Sequence, residues 1–272
     1  MSHWTEQLFV EDPEMFEITM RRRLDRTGEE VDQLLDLLSA HGVEPTEALD
    51  VACGIGRHAV ELGGAGIDVH GIDISPAYVD AARERVREAG VGDRVSLEVA
   101  DMRELADMEG SYDLATSMWT AFGYFDDGTN EAIAAGFRER VADGGALVME
   151  LVNKESVVTD FRESHAQEDD GLLYVEEQDY TPETGRMQTE QRLFRPHDES
   201  DEESKVEGSP DARGDEDYEF LGTISWDLRL YAPAELRRLL EHAGFGEVSL
   251  YGGLDGESLD RESPRLVVVA EP

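Results

Sequence analysis

The sequence predicts an α/β fold: a mostly parallel sheet wound on both faces by helices, with an antiparallel β insertion late in the chain. Three observations predict it. Short apolar runs alternate with amphipathic segments from residue 48 to residue 151. A glycine-rich turn, "GIGRHA", joins the first apolar run to the first helix of that alternation. After Asn153 the rhythm changes to longer strand-like segments with no helix between them. Strands alternating with helices imply crossover units and hence a parallel sheet, whereas adjacent strands joined by tight turns imply an antiparallel one.

From Glu29 to His41 the residues Val31, Leu34, Leu35, Leu37 and Leu38 recur at helical spacing, and Gly42 stops the pattern. The alternation follows: strand 48–52, helix from about 56, strand 67–72, helix 76–89, strand 95–99, strand 112–117, a helix near 130–141 and strand 146–151. "LLYVEEQDY" and "RMQTEQRLF" read as two strands joined by the turn "TPETG", and "YEFLGTISWDLRLY" reads as a third. Between the second and third, "PHDESDEESKVEGSPDARGDED" has almost no apolar residues to offset its ordering entropy. It is predicted as a disordered acidic loop over about 197–217. "PAELRRLLEHAGF" restores a helix, with Pro233 in its first turn and Gly244 as its stop. The strands "EVSLY" and "RLVVVA" follow. The predicted organisation is a core of 1–154 and 232–272 carrying an antiparallel insertion at 155–231.

The net charge of −39, from 63 acidic and 24 basic residues, sets the chain apart from an ordinary acidic protein. Acidic residues run along its whole length and only Lys154 and Lys205 are lysines, a pattern that suits a halophile's cytoplasm. In molar salt the Debye length falls to roughly 3 Å, which screens such self-repulsion. Nucleic acid is disfavoured as a partner by the sign of the field. The single cysteine, Cys53, excludes an intramolecular disulfide and a cysteine-based zinc cluster. No apolar run approaches the roughly 20 residues of a membrane span, and the N-terminus lacks the blocks of a signal peptide. A cytoplasmic protein, monomeric or homodimeric, is expected.

Gly54, Gly56 and Ala59 fit the dinucleotide fingerprint G-x-G-x-x-G/A, with Asp73 about 20 residues further on. Charge selects the ligand. A pyrophosphate needs helix N-terminal amides and no carboxylate nearby. Here Asp50, Asp73 and Asp101 fall at the carboxyl ends of the first three strands of the alternation. Three carboxylates there favour a cationic ligand rich in hydroxyl and amine donors, and S-adenosyl-L-methionine is one.

"LDVACGIGRHAVEL", "VHGIDIS", "VADMREL" and "YDLATSMWTAFGYF", in that order and spacing, resemble the successive motifs of class I S-adenosylmethionine-dependent methyltransferases. The resemblance is strong over about 46–153 and extends to the chain end through "RLYAPAELRRLLEHAGF" and "SPRLVVVA". It implies a doubly wound, Rossmann-like sheet of seven strands whose last strand is antiparallel. The insertion is then similar in placement to the lid of small-molecule members. It further implies that Asp50, Ala52, Cys53, Gly54 and Gly56 form the cofactor loop, with Asp50 receiving the amino group. Asp73 would take the ribose hydroxyls and Ile74 the adenine face. Asp101 would accept from the adenine amine, with Met102 and Met118 also at the cofactor. Ala52 stands where the family has its usual first glycine. Cys53 reads as a packing residue rather than a nucleophile. Arg57 faces either the cofactor carboxylate or a salt bridge.

Methyl transfer is an in-line displacement at a carbon already activated by a sulfonium, so a catalytic base is optional. "SMWTAFGYFDDG" is the expected acceptor wall, with Trp119 and Tyr124 as candidate catalytic residues and Tyr124 able to orient or deprotonate an acceptor. The acceptor is expected to be a small molecule, methylated at an amine or hydroxyl. Tyr174, Tyr180, Phe194 and Trp226 read as residues packing the insertion on the core. His165 and His197 have no metal-ligand spacing and are expected at the surface; Arg265 lies either near the mouth of the site or against acidic surface. A nicotinamide-dependent oxidoreductase and a non-catalytic cofactor-binding module docking a cationic partner are the alternative readings.

Overall fold

The computed structural model describes residues 2–169, 171–196 and 218–272. The stretch 197–217 predicted as a disordered loop, with His197, lies outside the described residues. The chain opens with α1 (Trp4–Glu6), a wide π-type turn (Gln7–Glu11), α2 (Pro13–Arg21) and α3 (Leu24–Ala40). Then come β1 (Glu47–Val51), α4 (Arg57–Gly64), β2 (Asp68–Asp73), α5 (Pro76–Ala89) and β3 (Val95–Val99). A 3₁₀ turn (Met102–Asp107) leads to β4 (Tyr112–Ser117), α6 (Asp127–Arg140), β5 (Val141–Val152) and α7 (Lys154–Thr159). A second sheet follows from β6 (Ser164–Asp169), β7 (Leu172–Thr181), β8 (Arg186–Pro196) and β9 (Tyr218–Arg229). The chain returns to the first sheet through α8 (Pro233–Ala243), β10 (Glu247–Tyr251) and β11 (Arg265–Glu271).

The first sheet has seven strands in the order β10-β11-β5-β4-β1-β2-β3. β11 runs antiparallel to both its neighbours, and the other pairs are parallel. Its central strands are buried on both faces, and their side chains divide by the two-residue period of a strand. Val148, Val267 and Val269 join the cluster under α3 and α4, with Leu34, Leu38 and Leu62. Their neighbours Leu147, Met149, Leu266 and Val268 join the cluster under α6 and α8, with Phe137, Leu236 and Leu240. The second sheet is antiparallel throughout, in the order β6-β7-β8-β9. Between the two sheets lies a third apolar cluster in which Leu8, Phe9 and Met20 meet Ile55 and Tyr78 of the core and Leu172, Tyr174, Leu193 and Ile224 of the second sheet. The Tyr78 hydroxyl donates to the Pro13 carbonyl at 2.8 Å, fixing α2 over the core.

The structure adds elements to those predicted. The N-terminal segment from Trp4 to Arg21 is broken into three helical pieces, each too short to display a 3.6-residue period. β6, "SHAQED", is a mostly exposed edge strand without β-branched or aromatic residues, so it carries no strand signal. α7 spans six residues after the buried Asn153, whose side chain caps it. Among the described residues no helix is long and apolar enough to cross a membrane.

Candidate active site

The glycine turn is built by backbone conformations that side chains disfavour. Ala52, Gly54 and Gly56 have φ of +58°, +55° and +75°, and so reverse the chain between β1 and α4. Close approach adds to this. A Cβ on Gly54 would stand 2.8 Å from the Met20 sulfur, and one on Gly56 2.9 Å from the Ala82 Cβ.

Around this turn the three predicted carboxylates take distinct states. Asp73, buried, accepts from the Gly54 amide through Oδ2 and the Ser75 amide through Oδ1, each at 2.8 Å. Burial nevertheless pushes its carboxyl up to about 6. Asp50 accepts from the Thr116 hydroxyl at 2.8 Å through Oδ1, while its buried Oδ2 has no partner among the described residues. Burial raises its pKa against the opposing charges of His58 and Arg57. Asp101 is half-buried, and hydrogen bonds from the Arg103 amide and guanidinium hold it below the usual range although burial opposes them.

A cavity of about 650 Å³, its mouth included, opens on this edge of the sheet. Ala52, Gly54, Asp73 and Ile74 form one wall; Asp101 and Met102 form a second; Met118, Trp119 and Tyr124 form a third. The N-terminal segment closes it with Thr5, Phe9, Phe16 and Met20, which the sequence did not single out. Of the predicted cofactor residues, Asp50, Cys53 and Gly56 are not in the cavity wall. Cys53 packs against Gly71, and burial with the charges of Asp73 and Asp50 drives its thiol well above the ordinary range. It should therefore stay unlabelled by a thiol reagent in the folded protein and react fully on unfolding, as followed by absorbance with a disulfide dye.

A second cavity, of about 1750 Å³ with its mouth, lies between the sheet edge and the inner side of the antiparallel sheet. Phe9, Phe16, Trp119 and Tyr124 line both cavities and are the partition between them. Burial, and then the charge of Asp73, push the Tyr124 phenol far up, which favours its protonated form. Trp119 and Thr120 hold consecutive left-handed conformations, φ +54° and +65°, a costly arrangement for two bulky residues. Glu150 imposes it. Its carboxylate accepts from the Trp119 amide at 3.1 Å and its carbonyl from the Thr120 amide at 2.7 Å. The Thr120 hydroxyl in turn accepts from the Val152 amide at 3.0 Å.

Other side chains depart from expectation. Arg57 is buried and committed to Thr27 at 2.7 Å and Glu30 at 3.2 Å, which resolves the two readings of it toward a salt bridge. Against the effect of burial, the His58 hydrogen bond and the Arg57 charge hold Glu30 at about 2. Arg265 lines the second cavity and pairs with Glu150 at 3.4 Å. His165, expected at the surface, also lines the second cavity, 3.3 Å from buried Glu176; strand β6, unseen in the sequence, carries it there. Tyr174 packs inside the cluster between the sheets, whereas Trp226 contributes to the cavity wall.

Comparison with known proteins agrees with this geometry. Residues 48–145 match the family described as methyltransferase domain. The chain is 37% identical over 90 residues to methyltransferase GfsG of Streptomyces halstedii, covering 33% of this chain and 31% of that one. It is 30% identical over 123 residues to the dTDP-3-amino-3,4,6-trideoxy-alpha-D-glucopyranose N,N-dimethyltransferase of Streptomyces venezuelae, covering 44% and 48%. The matches thus span less than half the length of these curated relatives. An S-adenosylmethionine-dependent methyltransferase of Clostridium acetobutylicum superposes with a TM-score of 0.70 at 14% identity, over 89% of this chain and 90% of that one. Residues 48–145 thus match the methyltransferase-domain family, and the chain shares the fold of a solved S-adenosylmethionine-dependent methyltransferase.

Proposed function

We propose that the protein transfers a methyl group from S-adenosylmethionine to an amine or hydroxyl of a small molecule held between the core and the antiparallel sheet. The observation that carries this reading is the pair of cavities meeting at Phe9, Phe16, Trp119 and Tyr124, the first of them bordered by the carboxylates Asp73 and Asp101. The cofactor fits the donor set of this chain. Asp73 has lone pairs left for a ribose diol, and Asp101 and Met102 stand where an adenine edge would lie; Asp50, buried outside the cavity wall, adds negative charge nearby. When bound, the cofactor supplies a methyl carbon activated by a sulfonium. This chain's residues then align and desolvate. Trp119 and Tyr124 narrow the passage between the cavities, and the N-terminal aromatics exclude water. Residues 155–231 are read as a lid on the core of 1–154 and 232–272.

An amine is the preferred acceptor. The Streptomyces venezuelae relative is named as an amino-sugar N,N-dimethyltransferase, and an amine attacking a sulfonium methyl needs no proton removed beforehand. Transfer of isotope-labelled methyl from S-adenosylmethionine to a library split into amino sugars, other amines and alcohols tests the reading. Label in the amine fraction supports it, and label in no fraction contradicts the enzymatic function.

The surface charge is read as an adaptation to concentrated salt. The melting temperature, followed by circular dichroism, should rise by about 10 °C or more between 0.1 M and 2 M KCl as the Debye length contracts. A temperature independent of KCl would contradict that reading.

A further inference from the structure

A third cavity lies beside the second, and its wall differs from the rest of the molecule. In a chain with 63 acidic and 24 basic residues, Arg22, Arg23 and Arg26 line one space of about 550 Å³, its mouth included, against one carboxylate among the described residues, Asp169. The local sequence accounts for this. Thr19 is in α2, Arg22 and Arg23 form the break before α3, and Arg26 is in the first turn of α3; spacings of three, four and seven residues bring all four to one side.

Two of these groups lack the partners that their surroundings should give them. The half-buried Arg23 guanidinium lies over the Trp119 ring at 4.7 Å, beside Arg57 and Arg265. Arg57 has Glu30 at 3.2 Å and Arg265 has Glu150 at 3.4 Å, but among the described residues Arg23 has no carboxylate within ion-pair distance. Burial and those two like charges both work against its own charge. The second group is the Thr19 hydroxyl, which is buried without a hydrogen-bond partner among the described residues. A guanidinium and a hydroxyl left unmatched on one wall are a donor set awaiting an anion. Continuity with the acceptor site is direct. Gln167 lines both the second and third cavities, and Trp119, which carries Arg23 on its ring, lines the first and second.

We propose that this cavity binds a phosphoryl group of the methyl acceptor, so that the substrate is a phosphorylated small molecule anchored by Arg23, Arg26 and Thr19 with its reacting end at Trp119 and Tyr124. The inference rests on the methyltransferase reading for the identity of the ligand, though not for the existence of the anion site. Planar guanidinium forks and a hydroxyl match several oxygens of a tetrahedral anion. Elsewhere the negative surface repels such a group, so the field also directs it to this mouth.

The probe is pyrophosphate, titrated calorimetrically at one KCl concentration at which circular dichroism shows the fold intact, with S-adenosylhomocysteine titrated in parallel. Wild type should bind pyrophosphate saturably. The pair Arg23→Gln with Arg26→Gln should lose at least tenfold in that affinity, and the exposed single change Arg26→Gln about threefold, while S-adenosylhomocysteine affinity stays within twofold. Absence of saturable pyrophosphate binding to wild type overturns the proposal. So does equal pyrophosphate affinity in wild type and the double variant, or a double variant that loses S-adenosylhomocysteine instead, which would assign Arg23 to the cofactor carboxylate. Pyrophosphate behaving as expected while wild type fails to bind S-adenosylhomocysteine keeps the anion site and removes the methyltransferase reading.

Discussion

Replacing Asp73 by alanine is expected to weaken S-adenosylhomocysteine binding at least 100-fold at pH 8, and in wild type the affinity is expected to follow the ionisation of this one carboxyl. Two charge-assisted hydrogen bonds to a ribose diol are together worth about 3 kcal/mol or more, which gives the factor. The pH dependence follows from burial, which raises the carboxyl to about 6. Above that value the carboxylate accepts from the ribose. Below it affinity should fall about tenfold per pH unit, with proton release on binding near pH 6. Folding runs the other way. The native carboxyl binds its proton more tightly than the unfolded chain does, so its contribution to stability declines as pH rises from about 4 to about 6. Above that window it costs on the order of 3 kcal/mol. Calorimetry in two buffers of different ionisation enthalpy, across pH 5 to 8, checks both parts. A flat affinity profile would assign the ribose elsewhere.

Glu150→Ala is expected to destabilise the protein by about 2–3 kcal/mol and to reduce methyl transfer by far more than it reduces cofactor affinity. The carboxylate accepts from the Trp119 amide and pairs with Arg265, and both groups line the second cavity. Without it the left-handed pair at Trp119 and Thr120, where each residue costs about 1–3 kcal/mol, keeps only the backbone bond from Thr120 to residue 150 and the bond from the Val152 amide to the Thr120 hydroxyl, and the partition between the cavities loses its shape. Glu150→Gln keeps an acceptor for the amide and should retain most of the stability. Denaturant unfolding separates the two variants, and equal stability of both would show that the Trp119 conformation is held by other contacts.

The sheet, its order of elements and the glycine turn were legible because each strand and helix declares a period over its own length. "ALVMEL" and "RLVVVA" are apolar on both faces, as strands buried between helix layers must be. The carboxylates at the strand ends were legible for a related reason: Asp50, Asp73 and Asp101 interrupt or end apolar runs. Groups that meet only through tertiary structure were not. Phe9, Phe16 and Met20 come from short helical pieces without periodicity, and nothing local marks them as the roof of a pocket. Glu150 did leave a signal, a charge inside an apolar strand, but its meaning depends on β4 lying next to β5. His165 rides on an edge strand of polar residues and read as surface. Nothing local in "MRRRLDR" sets Arg23 apart; its distinction depends on the Trp119 ring beneath it and on the carboxylates committed to its neighbours.

The central claim, that the turn at Ala52–Gly56 serves a sulfonium cofactor rather than a dinucleotide, is tested most directly by titrating the wild-type protein with S-adenosylhomocysteine and with a nicotinamide dinucleotide at pH 8 in the calorimeter. The account predicts stoichiometric, saturable binding of S-adenosylhomocysteine and no heat of binding for the dinucleotide, whose pyrophosphate would face Asp73 and Asp101. Binding of the dinucleotide with none for S-adenosylhomocysteine would contradict it.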